Sequence, residues 1–204
     1  MVGAALGIDI SLVMPSNVSE PRKQVTKAYG TELIDSDPMY GSDGAIELCR
    51  ELVEQNPGKY YYPDQYSNPS NPLAHFHTTG TEIWAQTRGR ITHFVTGIGT
   101  SGSIMGTSRA LKRLSSHLSR PVRCIGMEPD DAFHGLEGLK HLESSLVPGI
   151  YDASVLDETL FMPTDEGWDM AEHVGTHEGL LVGHSSGGNV AAAYRVAKRL
   201  AARG

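Results

Sequence analysis

From Ile8 onward the chain repeats one unit, a short apolar run followed by a stretch with apolar residues every three or four positions that closes at a glycine or a turn. Residues 8–14 read as a strand and 20–29 as a helix closed by Gly30; a strand at 31–34 and a helix at 44–54 follow, and the apolar patch Tyr60-Tyr61-Tyr62 continues the rhythm. The order returns as a helix from about Leu73, a strand at 91–95, a helix at 103–114 and a strand at 122–127. After an irregular stretch over 130–152 come a strand around Leu160, a helix at 165–178, a strand at 180–182 and a last helix at 191–200. Strands separated by helices cannot close as hairpins. Each needs a crossover, so the pattern predicts an α/β fold with a parallel sheet covered by helices.

Charge and composition narrow the function. Seventeen Lys and Arg against 24 Asp and Glu give a net charge of -7, which repels a phosphate backbone, and no basic run is interleaved with aromatics. Nucleic acid is therefore not expected as a partner. Residues 1–14 are apolar but lack a basic start, carry Asp9 and are too short to span a bilayer, so neither a leader nor a membrane helix is expected. Two distant cysteines, Cys49 and Cys124, read as reduced core residues of a cytoplasmic protein. The opening Met1–Leu6 resembles the end of a helix stopped by Gly7 with no polar lead-in, as though a preceding part were cut off.

Two glycine-rich corners join a strand to a helix. The first is Gly97-Ile98-Gly99-Thr100-Ser101-Gly102-Ser103. Glycines let the backbone approach a ligand, and the amides of a helix N-terminus favour an anion there. Three readings stand: a turn kept for packing alone; a dinucleotide fingerprint, Gly97-x-Gly99-x-x-Gly102, with Glu128 as the ribose-binding acid of a nicotinamide oxidoreductase; and a cup for a compact phosphate monoester, which the hydroxyls of Thr100, Ser101 and Ser103 suit.

The second corner is Gly183-His184-Ser185-Ser186-Gly187-Gly188-Asn189. Gly183-x-Ser185-x-Gly187 has the form of a nucleophile elbow, yet no Asp, Glu or His follows Ser185 to complete a hydrolase triad. A neutral hydroxyl at the nitrogen of a pyridine cofactor makes chemical sense, because it need not keep that nitrogen protonated. The ring is then a muted electron sink, suited to elimination and addition at a β-carbon. Ser185 or Ser186 as a mere helix cap is the alternative. His173 and His177, four apart on an expected helix, and His75 and His77 offer no third ligand, so no metal is expected. The role of His184 stays open, and Trp84 and Trp168 read as core or interface residues.

Four segments in order, Asp64-Gln65-Tyr66-Ser67-Asn68-Pro69-x-Asn71-Pro72, Thr78-Thr79-Gly80-x-Glu82-Ile83, the first corner, and Glu178-Gly179-Leu180-Leu181-Val182-Gly183-x-Ser185-Ser186-Gly187, resemble cysteine synthase and its relative cystathionine β-synthase. The resemblance covers almost the whole chain. It implies the parallel-sheet, tryptophan-synthase-β-like fold of pyridoxal 5'-phosphate (PLP) enzymes in two lobes, here incomplete: residues 1–85 as the remainder of the smaller lobe, 86–204 as the larger cofactor-binding lobe. It also implies β-replacement, O-acetylserine plus sulfide giving cysteine, or the condensation of serine with homocysteine. Small-molecule substrates and a homodimer of the full-length form are implied as well. By motif, Gly99, Thr100, Ser101, Gly102 and Ser103 would hold the cofactor phosphate and Ser185 would face its ring nitrogen. Gln65 would help hold the substrate carboxylate, and Gly138 matches a glycine that approaches the bound amino acid.

Ser101 departs from the glycine usual at its position, which is expected to tighten the loop, and the stretch to Val147-Pro148-Gly149-Ile150-Tyr151-Asp152 departs from the commoner pattern. The family's lysine-bearing Pro-Thr-Gly-Ser-x-Lys-Asp-Arg segment, its Ser-Gly-Asn-Thr-Gly turn and a strand after the last helix are not in this sequence. The chain is thus expected to be a fragment that binds the cofactor better than it catalyses, or a non-catalytic remnant. Its lysines, at 23, 27, 59, 112, 140 and 198, mostly read as solvated surface, and the catalytic group is unassigned.

Overall fold

The computed structural model describes residues 1–202, and the chain divides into two compact units, Met1–Pro63 and Asp64–Gly204. In the first unit a short helix α1 (Val2–Leu6) ends at Gly7, which takes the left-handed conformation at φ 67°. Strand β1 (Ser11–Pro15), helix α2 (Glu20–Ala28) and strand β2 (Glu32–Ser36) then form a βαβ unit, the strands pairing in parallel from Ser11↔Glu32 to Pro15↔Ser36. Helix α3 (Gly41–Gln55) buries Ala45 and Ile46. Cys49 on α3 is half-buried, and that burial pushes its thiol above its ordinary range. The tyrosine patch forms no strand; Tyr61 is 86% exposed.

The second unit holds helices α4 (Ser70–His77) and α5 (Thr79–Gln86), strand β3 (His93–Gly97), helix α6 (Gly102–Ser115), strand β4 (Arg123–Pro129), strand β5 (Glu158–Met162) and helices α7 (Thr164–Glu178) and α8 (His184–Ala201). The three strands pair in parallel in the order β3-β4-β5. Every residue of β4 after Arg123 is buried, the signature of a central strand covered on both faces. Successive side chains on a strand point to opposite faces. Cys124 accordingly packs with Leu111 of α6, while Met127, three positions on, packs with Ala191 and Ala192 of α8. One helix layer lies on each side of the sheet.

The expected run of elements is present, with its ends shifted by a few residues, and three readings need correction. The helix expected from about Leu73 is two helices, interrupted at Thr78 with φ -114° and ψ -82°. Residues 180–182 form no strand. Among the described residues no ladder partner reaches them, and Leu181 is 99% exposed; an apolar run becomes a strand only where another backbone supplies hydrogen bonds. Lys140 is not surface but 3% exposed, its ammonium 5.3 Å from the centroid of the Tyr66 ring, an attraction that offsets part of the cost of burial. The compact units divide at 63/64, whereas the sequence reading sets its lobe boundary at 85/86. Helix α5 packs on α6 closely enough that a Cβ on Gly80 would lie 2.5 Å from the Cβ of Ala110.

One carboxylate anchors the β4–β5 edge. Asp157 accepts a hydrogen bond from the backbone N–H of Cys124 at 2.7 Å and pairs with Lys112 at 3.0 Å. Burial alone would raise its pKa, but the Cys124 amide and the Lys112 ammonium together hold it below the ordinary carboxylate range. A depressed folded-state pKa contributes stability that is present above the unfolded value, about 3.9, and is lost as pH falls through the folded value. Asp157→Asn is expected to lower unfolding stability by about 1–2 kcal/mol at neutral pH and to flatten the acid limb of the stability profile below pH ~4. Urea melts across that range measure both effects.

Candidate functional site

Strand β3 ends at Gly97, and the chain turns through Ile98, Gly99, Thr100 and Ser101 into α6. The amides of the first turn of α6 have no partner inside the helix and so are available to an anion. Ser101 is the N-cap in a left-handed conformation, φ 68° and ψ -5°; it is 3% exposed, and its hydroxyl is buried without a partner. Ile98 at the base of the turn is fully buried and donates its N–H to Met127 O at 2.9 Å, which fixes the loop to β4.

Other segments close on this turn. Asn71 donates from Nδ2 to the carbonyl of Gln65 at 2.7 Å and to Thr100 Oγ1 at 3.2 Å, so the Asn- and Pro-rich loop is an ordered wall. A Cβ on Gly102 would overlap the Asn71 side chain, which explains the glycine there. A Cβ on Gly99 would lie 2.5 Å from the carbonyl oxygen of Gly138, placing the turn and Gly138 in contact; Gly138 itself has φ 92°. The segment carrying Gly138 is held at both ends: Lys140 N–H donates to Ile98 O at 2.8 Å, and Gly135 N–H donates to Thr164 Oγ1 at 2.9 Å.

The second corner opens α8, with Gly183 as the N-cap and Ser186 N–H donating to its carbonyl at 2.9 Å. Asn189 Oδ1 accepts the N–H of Gly97 at 2.6 Å, tying this corner to the end of β3. Ser185 is half-buried and sits one turn before Asn189, on the same face of α8. The ring of His184 lies against Trp168 with centroids 4.8 Å apart and planes tilted by 31°, and the indole N–H of Trp168 donates to Gly135 O at 3.1 Å. The sequence residues Gln65, Gly99, Thr100, Ser101, Gly102, Ser103, Gly138 and Ser185 thus belong to segments linked to one another at the carboxyl ends of the sheet strands, where ligands of open α/β sheets bind.

Asn71 and Asn189 are not singled out by the sequence reading, His75 enters it only as one of a histidine pair, and Lys140 only as a surface lysine. The first two stand within quoted motifs, and an amide flanked by glycines or prolines was the available signal.

A compact phosphorylated ring fits this arrangement. Gly99 clears the Gly138 carbonyl and Gly102 the Asn71 side chain, hydroxyls and helix amides line the cup, and a neutral serine stands on the helix tied to it. The nicotinamide reading loses its acid: Glu128 is 6% exposed, and its Oε2 already accepts the backbone N–H of Leu142 at 2.9 Å. Burial, then the Glu128 charge, pushes the nearby Tyr151 phenol up. Among the described residues no group of three or more His, Cys, Asp or Glu is placed to hold a metal ion, and no helix is long and apolar enough to cross a membrane.

Known proteins resemble the chain in sequence and fold. The family described as pyridoxal-phosphate dependent enzyme matches residues 1–204. A cysteine synthase of Aquifex aeolicus is 51% identical over 204 residues, covering 100% of this chain and 61% of the relative; cysteine synthase B of Escherichia coli is 40% identical over 198 residues, 97% and 63%. The chain therefore spans about three fifths of the length of these relatives. Among solved structures, a cysteine synthase from Entamoeba histolytica is 34% identical with a TM-score of 0.81, covering 92% of this chain and 56% of the other. A hydrogen sulfide-producing enzyme from Fusobacterium nucleatum is 31% identical with a TM-score of 0.90, covering 98% and 68%. With the match running from end to end and the fold superposing on these enzymes, the chain belongs to the pyridoxal-phosphate dependent enzyme family.

Proposed function

We propose that this chain forms the cofactor-binding part of a cysteine-synthase-like β-replacement enzyme, one that joins a sulfur nucleophile to the β-carbon of an activated serine. The observation that carries it is the Asn189–Gly97 hydrogen bond, which ties the end of β3, where the phosphate-type corner begins, to the helix that carries the neutral-serine corner. Bound PLP supplies the electron sink for cleavage at the β-carbon. In this reading the α6 amides with Thr100 and Ser103 bind the phosphate, and Gly99 and Gly102 keep the cup open. Ser185 accepts or donates a hydrogen bond at the pyridine nitrogen without fixing a positive charge there. Gln65 and Gly138, on the wall linked through Asn71 and at the Gly99 contact, flank the amino-acid side.

No lysine is assigned to proton transfer. Lys112 pairs with Asp157, Lys23 donates to Ser16 O, and the ammonium groups of Lys59, Lys140 and Lys198 stand over Tyr60, Tyr66 and Tyr194. The homodimer and the cytoplasmic location extend the same reading, supported by the resemblance and, for the latter, by two free cysteines.

Separate titrations with PLP and NADH, followed by the fluorescence of Trp84 and Trp168, test the cofactor choice. PLP is expected to quench saturably and to be displaced by inorganic phosphate, with NADH leaving the signal unchanged. Saturable quenching by NADH alone would reverse the assignment.

A further inference from the structure

We infer that His75 is a positioning residue for the phosphate cup, holding the Ser103 hydroxyl so that its proton faces a bound phosphate monoester; this rests on the cofactor reading above. His75 lies on α4, which packs on α6 so closely that a Cβ on Gly106 would lie 2.8 Å from the His75 Cβ. Both nitrogens of its ring meet hydroxyls. Nε2 is 3.1 Å from Ser103 Oγ, and Nδ1 is 3.0 Å from Thr79 Oγ1. The ring therefore joins the first turn of α5 to the first turn of α6, and Ser103 is the exposed partner of the two links.

A serine hydroxyl has one proton and two lone pairs, so its orientation decides whether it attracts or repels an anion. In one neutral tautomer Nε2 lacks hydrogen, the Ser103 proton is engaged by the ring, and only lone pairs face the phosphate. In the other, Thr79 donates to Nδ1, Nε2–H donates to Ser103 Oγ, and the serine proton is left for the phosphate oxygen. A bound dianion selects the second arrangement, because a hydrogen bond to a charged acceptor is stronger than one to a neutral acceptor. Thr79, whose hydroxyl can donate or accept, accommodates that tautomer by donating to Nδ1. The pair His75 and His77, which offers no third metal ligand in the sequence, divides its roles: the His77 ring instead meets Phe76 edge-on at 5.1 Å.

The test uses the full chain and two ligands that differ only in the phosphate, PLP and pyridoxal, with dissociation constants from tryptophan quenching for wild type, His75→Leu, His75→Gln, Ser103→Ala and the His75→Leu/Ser103→Ala pair. His75→Leu is expected to weaken PLP by on the order of tenfold while leaving pyridoxal unchanged. His75→Gln, which restores a terminal N–H donor, is expected to recover most of the loss, and the double variant to bind PLP as Ser103→Ala does. Long-range proton–nitrogen spectra of histidine-labelled protein in inorganic phosphate are expected to show the Nε2–H tautomer at His75. Unchanged PLP binding in His75→Leu, losses that simply add in the double variant, or the Nδ1–H tautomer with phosphate bound overturns the inference and leaves the cup intact. Wild type that binds pyridoxal as tightly as PLP removes the cup itself.

Discussion

Asn189→Leu is expected to destabilise the chain by about 2–3 kcal/mol and to weaken PLP by at least tenfold, whereas Asn189→Asp keeps most of both. The 2.6 Å bond from Gly97 N–H to Asn189 Oδ1 spans 92 residues of sequence and ends a strand whose next residue begins the candidate cup. Leucine is close to asparagine in size but offers no acceptor. The amide would then be orphaned where a Cβ on Gly97 would already lie 2.7 Å from Leu139, so a water has little room to replace the lost partner. Aspartate retains an oxygen at the same place. Because the same bond ties the two corners together, the ligand effect follows from the structural one: on the proposed reading, a ring held at its phosphate would lose its alignment with Ser185. Urea unfolding, with a lower midpoint and unchanged slope, reads the first effect, and PLP titration well below the unfolding midpoint reads the second. A stability loss with PLP affinity intact would show that the corners act independently and would remove the main support for a shared ligand.

What the sequence makes legible here is local. The βα rhythm depends on side-chain periodicity within single elements, and the glycine corners on backbone freedom within a few residues; both are visible in Ile8 to Gly30 and again around Gly97 and Gly183. Apart from the helix break at Thr78, the failures are questions of who stands opposite. Residues 180–182 carry the composition of a strand, but pairing is decided by a second segment. Lys140 carries the chemistry of surface, yet the Gly138 segment brings it beneath Tyr66. His75 and Ser103 lie 28 residues apart, and nothing in the periodicity of α4 or α6 announces that their side chains meet. The family resemblance carried Gln65, Gly138 and Ser185 forward by motif alone. The Asn71 and Asn189 bonds, by contrast, could be found only from folded coordinates.

Ser101→Gly should make the ligand-free chain more stable and the ligand-bound chain no better. Serine at φ 68° carries the penalty of a left-handed residue with a Cβ, about 1–2 kcal/mol, and its buried hydroxyl lacks a partner, which costs about 1–3 kcal/mol more. Glycine removes both, less about 0.5–1 kcal/mol for its greater freedom when unfolded. The net expected gain is about 1–4.5 kcal/mol, several degrees or more in Tm for a chain of this size. Ser101→Ala separates the terms, since alanine deletes the hydroxyl and keeps the strain. Strain and an unpartnered donor persist together where a ligand uses them, and the first turn of α6 is where the phosphate is proposed to sit. If the Ser101 backbone and hydroxyl are shaped for that anion, the glycine variant binds PLP more weakly, and saturating PLP, which stabilises in proportion to the logarithm of its affinity, narrows or reverses the Tm advantage. Thermal melts of the three proteins with and without PLP decide the matter. An advantage of equal size in both conditions would mean that Ser101 serves only the turn, and the phosphate would then have to be held by the α6 amides, Thr100 and Ser103 without it.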